Sequence, residues 1–249
     1  MRYIKFYVIG LLIFGFSINT SAQDDKKVAL ALTVSPSIAW FTPSNKGYDS
    51  DGSKLGIKYG LLMDFQLFGV SNYSFTTGFT MNHTGGKLIE PNTFENASGI
   101  VVSAKNASNY KMTYIDVPLA IRLKTNEIGY MTYYAVFGSE MGFNISAKKE
   151  YTTSYGNSAT GTITDDVSGD INLFRSSLVF GAGFERNISG NTNYRVGLTY
   201  HNGLTNVIKG DALVVDANGN SLIENNQAVY DKKINTKLRF IELNLAIVF

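Results

Sequence analysis

The residues of this 249-residue chain that could act as acids, bases or ligands are its charged side chains and two histidines. Cysteine is absent. Without cysteine there are no disulfides, no thiol nucleophile and no cysteine metal site. Only His83 and His201 are present, so a site built from several histidine ligands is not expected. A histidine beside serine or glutamate residues would act as a general base in an enzyme, although His201 also fits as one more polar residue of a strand.

Ten charged residues share one property: each lies on the polar face of a segment whose residues alternate between apolar and polar. They are Lys58, Asp64, Asp116, Arg122, Lys124, Glu140, Arg175, Glu185, Arg195 and Glu242, five acids and five bases. The segment "TYIDVPLAIRLKT" shows the pattern, with Ile115 and Leu119 alternating with Asp116 and Arg122. A period of two predicts a β-strand between two different environments. The equal numbers of acids and bases permit pairing.

Eight segments of the chain show this alternation, namely 28–41, 55–68, 72–82, 112–124, 130–146, 170–185, 191–204 and 234–249. The connections alternate as well, with long ones at 42–54, 83–111, 147–169 and 205–233 and short ones at 69–71, 125–129 and 186–190. This arrangement predicts an eight-stranded antiparallel up-and-down transmembrane β-barrel. The first half of the last segment runs in the opposite phase, which predicts a bulge near Phe240 and Ile241.

The N-terminus has the features of an export signal. A basic start with Arg2 and Lys5, an apolar run and a small residue at Ala22 predict a signal peptide at 1–22 and a barrel domain at 23–249. Removal of the signal leaves 20 basic and 20 acidic residues, so no basic excess suggests a nucleic-acid partner. No later apolar run reaches the length of a membrane helix, so a membrane-embedded form would have to be a closed barrel.

A soluble barrel of the lipocalin type is the alternative, and the two faces discriminate between them. In a soluble barrel the ten charges would face solvent, whereas in a membrane barrel they would fill the lumen and pair. The other face carries more large aromatic and aliphatic residues than a small barrel interior can hold, which favours contact with lipid. Interfacial girdles would then be formed at the short-turn end by Tyr73, Tyr130, Tyr133, Tyr194 and Phe249, and at the other end by Trp40, Tyr59 and Tyr200.

Several motifs together resemble the PorT-like outer-membrane β-barrel proteins, often labelled "porin family". They are, in this order, "YIDVPLAIRLKT", "YYAVFGSEMGF", "VFGAGFE", "YRVGLTYHNGLTN" and "IELNLAIVF". The resemblance covers essentially the whole chain after the signal. The resemblance makes Pro118 an expected irregularity in its strand, although proline cannot donate to a ladder. It implies a bacterial outer-membrane protein, with a component of a secretion or gliding assembly among the family's members.

The chain ends in the alternating residues Ile241, Leu243, Leu245, Ile247 and Phe249. Such an ending resembles substrates of the barrel-assembly machinery, which engages the last strand by edge pairing; a closing strand with lipid-facing residues has the same pattern. In the last long connection, "DANGN" faintly resembles a calcium loop, but its glycine is misplaced and it is better explained as a hairpin turn. The segments "HTGGKLIEPN" and "KNASN" are predicted to be loop.

The expected function is therefore a non-enzymatic structural or interaction role, with long external loops and a lumen filled by side chains. No cofactor or metal is expected. The expected partners are outer-membrane lipids, the barrel-assembly machinery and a secretion-system or surface partner, without nucleic acid. A PorT-like role in secretion or gliding, a surface ligand-binding barrel and a lipid-modifying enzyme remain alternatives.

Overall fold

Eight long antiparallel strands form a closed ring in the computed structural model, which describes residues 28–156 and 158–249. The strands are β1 (Val28–Pro43), β2 (Ser53–Leu67), β3 (Val70–Glu95), β4 (Val101–Lys124), β5 (Thr132–Tyr155), β6 (Phe174–Ser189), β7 (Thr192–Gly203) and β8 (Thr236–Val248). The predicted signal peptide at 1–22 lies outside the described residues. Within the described part of the chain, no helix is long and apolar enough to cross a membrane.

The ring closes because the first strand pairs with the last. β1 and β8 pair from Ala31 opposite Val248 to Pro43 opposite Thr236, and each of the other strands pairs with its neighbours in sequence. A closed ring leaves no long strand edge unpaired, which removes the main hazard of an antiparallel sheet. The predicted all-β, eight-stranded up-and-down barrel is confirmed.

Three neighbouring strands on one side of the barrel are much longer than the sequence pattern predicts. β3, β4 and β5 continue well past the predicted strand ends, and β3 and β4 turn only at residues 96–100. The prediction that 83–111 is a loop is therefore wrong, and so is the assignment of "HTGGKLIEPN" and "KNASN". The three extensions, residues 84–95, 101–112 and 147–155, form a sheet that we call the wall. Its outer face carries Lys87, Lys105 and Lys111 instead of apolar residues, so the alternation that marks a lipid-facing strand fades.

The bulge predicted near Phe240 and Ile241 is also absent. The pairing of β8 with β1 and β7 keeps one register through these residues, and even-numbered residues point inward along the whole strand. Leu238 and Phe240 are inward residues in an apolar part of the lumen. The apparent phase reversal is thus a change in what fills the barrel, not a change in which face points inward.

A real irregularity lies between β4 and β5. Thr113 pairs with Ser146 and Tyr114 pairs with Asn144, so Ile145 has no partner on β4. This extra residue moves the inward positions of β5 from even numbers below it to odd numbers above it. As a result Lys149 points into the mouth of the barrel.

Three long connections fold over the end of the barrel that carries the wall. Residues 156–173 add Ser158–Ala159 and Ile163–Asp166 to the free edge of β5, and Asp49–Ser50 pairs with β3. Residues 204–235 contain two small ladders, Asp211–Leu213 with Tyr230–Lys233 and Ile223–Glu224 with Gln227–Ala228. The segment "DANGN" turns a hairpin there, and the Asp216 carboxylate accepts hydrogen bonds from the backbone N–H groups of Asn218 and Asn220.

Candidate functional site

The lumen holds the ten predicted charges in two clusters, one above the other. The cluster nearer the wall, called the upper cluster, consists of Lys58, Asp116, Glu140, Arg175 and Glu242, with His201 among them. Lys58 Nζ lies 2.5 Å from Glu140 and 3.3 Å from Glu242. Arg175 Nη2 lies 2.7 Å from Asp116 Oδ2, which also accepts a hydrogen bond from Asn82 Nδ2. Five different strands, β2, β4, β5, β6 and β8, thus supply the five charges.

The lower cluster consists of Asp64, Arg122, Lys124, Glu185 and Arg195. Arg195 bridges two carboxylates, with Nη2 2.5 Å from Asp64 and Nε 2.6 Å from Glu185. Arg122 Nη1 lies 3.0 Å from Asp64, and Lys124 Nζ lies 2.8 Å from Glu185. Each carboxylate in this cluster therefore contacts at least two cations, which offsets much of the cost of removing the charges from water.

Aromatic rings and glycines shape both clusters. The Tyr134 ring lies 5.0 Å from the Arg122 guanidinium and 5.7 Å from that of Arg195, at cation–π distance. On the adjacent strand β6, a methyl group at Gly183, which pairs with Tyr134, would lie 2.6 Å from the Tyr134 hydroxyl. A methyl group at Gly142 would likewise lie 2.6 Å from Arg175 Nε. These glycines are required because the large inward side chains need the space above their backbone.

Almost no solvent reaches the ten charges. Nine of them are at most 5 % exposed, and Lys124 at the short-turn end is the partly exposed exception. A cavity of about 50 Å³ lies beside the two clusters, lined by Thr33, Thr80, Ala120 and Asn244 among others. That volume holds only a few waters. The lumen is therefore filled at the level of the charges and offers no continuous path for a solute.

A second, apolar filling lies between the upper cluster and the mouth. We call it the apolar plug; its members are Ala39, Phe41, Tyr48, Leu88, Tyr110, Met112, Tyr114, Ala147, Val167, Ile171, Val207, Ile208, Ala212, Leu238 and Phe240. Six of these residues come from the long connections, so the folded loops contribute directly to closing the barrel. Phe240 forms the boundary, because its ring stacks on His201 at 4.0 Å between centroids and lies 5.2 Å from the Arg175 guanidinium.

Sequence reasoning missed a further buried charge, Glu90, on the inner face of the wall. Its carboxylate accepts hydrogen bonds from the Tyr110 hydroxyl at 2.6 Å, from Ser108 Oγ at 2.9 Å and from Lys149 Nζ. Burial raises the pKa of Tyr110 above its ordinary value, and the negative charge of Glu90 raises it further. The alternation of Leu88 and Glu90 with Lys87 and Ile89 was the available signal, and the assignment of 83–111 to a loop obscured it.

The two histidines lie in very different places. His201 is 1 % exposed, with Nδ1 3.3 Å from Glu140 and Nε2 3.2 Å from Glu242, although neither contact is aligned as a hydrogen bond. His83 is exposed on the outer face, near the Tyr59 hydroxyl and Thr113 Oγ1. Within residues 28–156 and 158–249, no cluster of three or more His, Asp or Glu side chains is suitable for a metal ion.

The outer face of the barrel is apolar below the wall. Its exposed residues include Leu32, Leu61, Phe79, Ile121, Phe137, Phe180, Leu198, Leu243 and Leu245. Aromatic residues lie towards both ends, with Tyr73, Tyr130, Tyr133 and Phe249 exposed at the short-turn end and Trp40 stacked on Tyr200 at the other. In β8, the odd-numbered residues Ile241 to Ile247 and the terminal Phe249 all face outward. A continuous apolar band with aromatic borders is typical of a barrel surrounded by lipid.

One protein family and several solved structures are similar to this chain. The family model described as "Outer membrane protein beta-barrel domain" matches residues 15–209. Among solved structures, Neisserial surface protein A is 11% identical, with 88% of this chain and 97% of that chain covered and a TM-score of 0.39. The attachment invasion locus protein Ail of Yersinia pestis is 14% identical over 90% of this chain and 99% of its own, with a TM-score of 0.37.

A third structure, the outer membrane protease OmpT from Escherichia coli, is 9% identical over 89% of this chain and 94% of its own, with a TM-score of 0.38. No curated protein sequence matches the chain.

Proposed function

Because the chain belongs to the outer membrane protein beta-barrel domain family and is thus a β-barrel of the bacterial outer membrane, we propose that it is a closed, non-enzymatic barrel that presents a binding surface. In this proposal the barrel conducts no solute, and its role is to hold the wall and the folded loops above the outer leaflet. The short turns then face the periplasm, as in other outer-membrane barrels.

The observation that carries the proposal is the double closure of the interior. The two ion-pair clusters fill the lumen inside the membrane, and the apolar plug fills it above them. Eight strands enclose a space just wide enough for side chains, whereas open aqueous channels need about 16 strands. A barrel that served as a pore would need an open lumen and would have no need of either filling.

Conductance measurements test the closed lumen. Purified protein reconstituted in planar bilayers is expected to show no stable conductance on the nanosiemens scale. A variant with residues 211–233 replaced by a short glycine–serine link removes part of the plug and is expected to remain closed, because the charged clusters persist. Stable conductance from the unmodified chain would overturn the proposal, and conductance from the shortened variant alone would locate the seal in the plug.

The wall is the feature that supports a binding role. It extends the sheet beyond the apolar band, and the last long loop is fastened to it by hydrogen bonds from Ser221 N to Ser103 Oγ at 2.8 Å and from Val101 N to Asn226 Oδ1 at 2.8 Å. A sheet braced in this way offers a rigid surface with little ordering cost on binding. The resemblance to PorT-like proteins suggests a component of a secretion or gliding assembly as the specific partner system, and a surface ligand is the alternative.

Co-purification from mildly solubilised outer membranes discriminates between these partners. Shortening the turn at 96–100 to a two-residue Asn-Gly turn alters the tip of the wall and removes the Gly99 carbonyl oxygen that accepts a hydrogen bond from Asn226 Nδ2. Lengthening the periplasmic turn at 125–131 with glycine and serine is the matched control. A partner lost only with the altered tip supports a binding wall. A stoichiometric secretion component lost only with the altered periplasmic turn would place the binding surface on the other side of the membrane.

Neither described histidine combines an exposed ring with a carboxylate partner, the arrangement of a histidine general base. His201 is enclosed by carboxylates and the Phe240 ring, and His83 lies on the outer face near the apolar band. The proposal is therefore that the barrel has no hydrolytic or lipid-modifying activity. Release of product from phospholipid or peptide substrates, abolished by His83→Gln, would contradict it.

For biogenesis, we propose that β8 is the segment recognised by the barrel-assembly machinery. Ile241, Leu243, Leu245, Ile247 and Phe249 present one apolar row, and the strand pairs with β1 only when the barrel closes. Before closure, β8 therefore exposes both an apolar face and an unpaired edge, which is the form that strand addition requires.

A further inference from the structure

A basic groove lies on the outer face of the barrel, where the apolar band meets the wall. It is open to solvent, has a volume of about 520 Å³ and is lined by residues of β2, β3, β4 and β5. Lys54, Lys111 and Lys148 line it together with Leu55 and Ile57. By strand register, Ile57 lies two residues nearer the short-turn end than the row of Lys111 and Lys148. None of these five residues takes part in closing the lumen. Lys111 and Lys148 belong to the wall, but the binding role proposed for the wall does not specify what they bind.

The groove holds three lysines and two neighbouring carboxylates, Glu150 and Asp166, so positive charge is in excess. Lys111 forms an ion pair with Glu150, and Lys148 is opposite Asp166, whose carboxylate accepts a hydrogen bond from the Ser168 backbone N–H. Lys54 has only neutral hydrogen-bond acceptors, Asn109 Oδ1 at 3.0 Å and the Tyr110 carbonyl oxygen at 3.1 Å.

The position of Lys54 is built into the sheet. Its side chain passes over Gly85, where a methyl group would lie 3.1 Å from Lys54 Cδ, and so reaches β4 from β2. Burial and the neighbouring Lys111 lower the pKa of Lys54 to about 8. The ammonium groups of Lys54 and Lys111 are therefore close enough to repel each other. An anion bound between them would reduce this repulsion.

Two apolar side chains beside these lysines are well exposed. Leu55 is 79% exposed and Ile57 is 43% exposed. The groove thus offers cations at the height of the lipid headgroups and apolar side chains beside them. A ligand that fits both must carry a negative charge and a hydrocarbon chain at adjacent positions.

We propose that this groove binds the phosphate group of an outer-leaflet lipid, with the lipid's acyl chain against Leu55 and Ile57. The ammonium groups of Lys111 and Lys148 donate to the phosphate oxygens, and Lys54 contributes charge from the edge of the groove. A membrane lipid is favoured over a soluble ligand or a protein because the groove begins at the upper limit of the apolar band, where lipids already surround the barrel. The proposal does not depend on the lumen being closed.

Native mass spectrometry of the full-length mature protein in a mild neutral detergent tests the proposal. The probes are bisphosphorylated lipid A and the same lipid after enzymatic removal of its phosphates. The double variant Lys111→Gln/Lys148→Gln is compared with Lys232→Gln/Lys233→Gln, which removes the same charge from exposed residues of the last long loop. The groove variant is expected to bind the phosphorylated lipid roughly fivefold more weakly for each lysine removed, as for about 1 kcal/mol per basic residue near an anionic membrane surface.

Three other outcomes of the same experiment would refute the site. Equal loss in the control variant would show a general charge effect and overturn the site. Equal binding of the dephosphorylated lipid would show an apolar contact alone, and displacement of the lipid by stoichiometric inorganic phosphate would show a free-anion site, so either would refute a lipid-phosphate site. The variant Leu55→Asn separates these cases further, because it should weaken lipid binding without changing the melting temperature of the barrel by more than a few degrees.

Discussion

The barrel has two regions, one within the membrane and one above it, and they differ in which face of the sheet is apolar. Within the membrane, the inner face is charged and the outer face is apolar, as Asp116 and its neighbour Ile115 illustrate. Above the membrane most of the arrangement reverses: Leu88 is fully buried inside and Lys87 is exposed outside, although the inner face of the wall also holds the ion pair of Glu90 and Lys149. The same antiparallel sheet passes through both regions without interruption in β3 and β4. The solvent around each part of the sheet, lipid or water, decides which face is apolar.

The two regions are also expected to respond differently to mutation. Ion pairs in the charged clusters are costly to break because the remaining partner is left buried and unpaired. Apolar contacts in the plug are lost only in proportion to the atoms removed and the cavity left behind. Stability measurements on matched variants would therefore show whether the two regions follow these separate rules.

The largest effect is expected at Glu140, which contacts Lys58, Arg175 and His201 in the upper cluster. Glu140→Ala should lower the free energy of unfolding by about 3–5 kcal/mol, because it leaves buried cations without a partner. Urea titration of the protein folded in detergent micelles measures the change. Glu224→Ala, at an exposed loop residue, is the control. A loss below about 1 kcal/mol for Glu140→Ala would mean that water screens the cluster.

A smaller loss is expected in the apolar plug. Leu238 is 1 % exposed and packs on the plug from β8. Leu238→Ala should cost about 2–5 kcal/mol, towards the lower end if the loop residues can move in to fill the cavity. The same urea titration applies, and limited proteolysis should show earlier cleavage within 204–235. Unchanged cleavage there would show that the loops do not depend on the plug.

The lipid-facing surface gives a third test of the two faces. Replacing Leu119 or Leu243 by Arg should cost about 2–4 kcal/mol near the midplane of the membrane and impair insertion. Ala120→Ser, on the inner face beside the small cavity, should change stability by less than about 0.5 kcal/mol. Folding yield into phospholipid vesicles measures both. Equal tolerance at the three positions would contradict the assignment of the faces.

Proteolysis of intact cells tests how much of the wall is folded. A protease added outside should cut at the turn 96–100 or near Asp216–Asn220, and it should spare the strand residues 84–94 and 101–111. The periplasmic turns at 68–69, 125–131 and 190–191 should be protected by the membrane. Rapid cleavage throughout 83–111 would show that the wall is mobile in the cell, contrary to a rigid binding surface.

The smallest effect concerns Lys54, at the boundary between the regions. Its pKa of about 8 lies below the ordinary lysine value, so the unfolded chain binds more protons than the folded one between the two pKa values. Stability should therefore rise as pH increases from about 8 towards 10.5, because ∂ΔG/∂pH is positive in that window. Partial exposure limits the rise to a small slope. Lys54→Gln should flatten it relative to Lys232→Gln.

Strand number and strand faces could be predicted from the sequence because a period of two is a local property. Each lipid-facing segment carries its own alternation, as in Ile115 to Leu123, and the connections alternate in length along the chain. The wall could not be predicted in the same way. Where water surrounds the sheet, both faces accept polar residues, and segments such as 83–92 then look like loop.

Pairing within the lumen was decided by the tertiary structure alone. The alternation placed Lys58 on the polar face, but its contacts with Glu140 and Glu242 join residues 82 and 184 positions away, and they depend on the closure of the ring. The plug likewise unites Tyr48, Ile171 and Val207 from three separate loops. A sequence pattern specifies which face a residue occupies, whereas its partner across the lumen depends on barrel width, strand register and the fold of the loops.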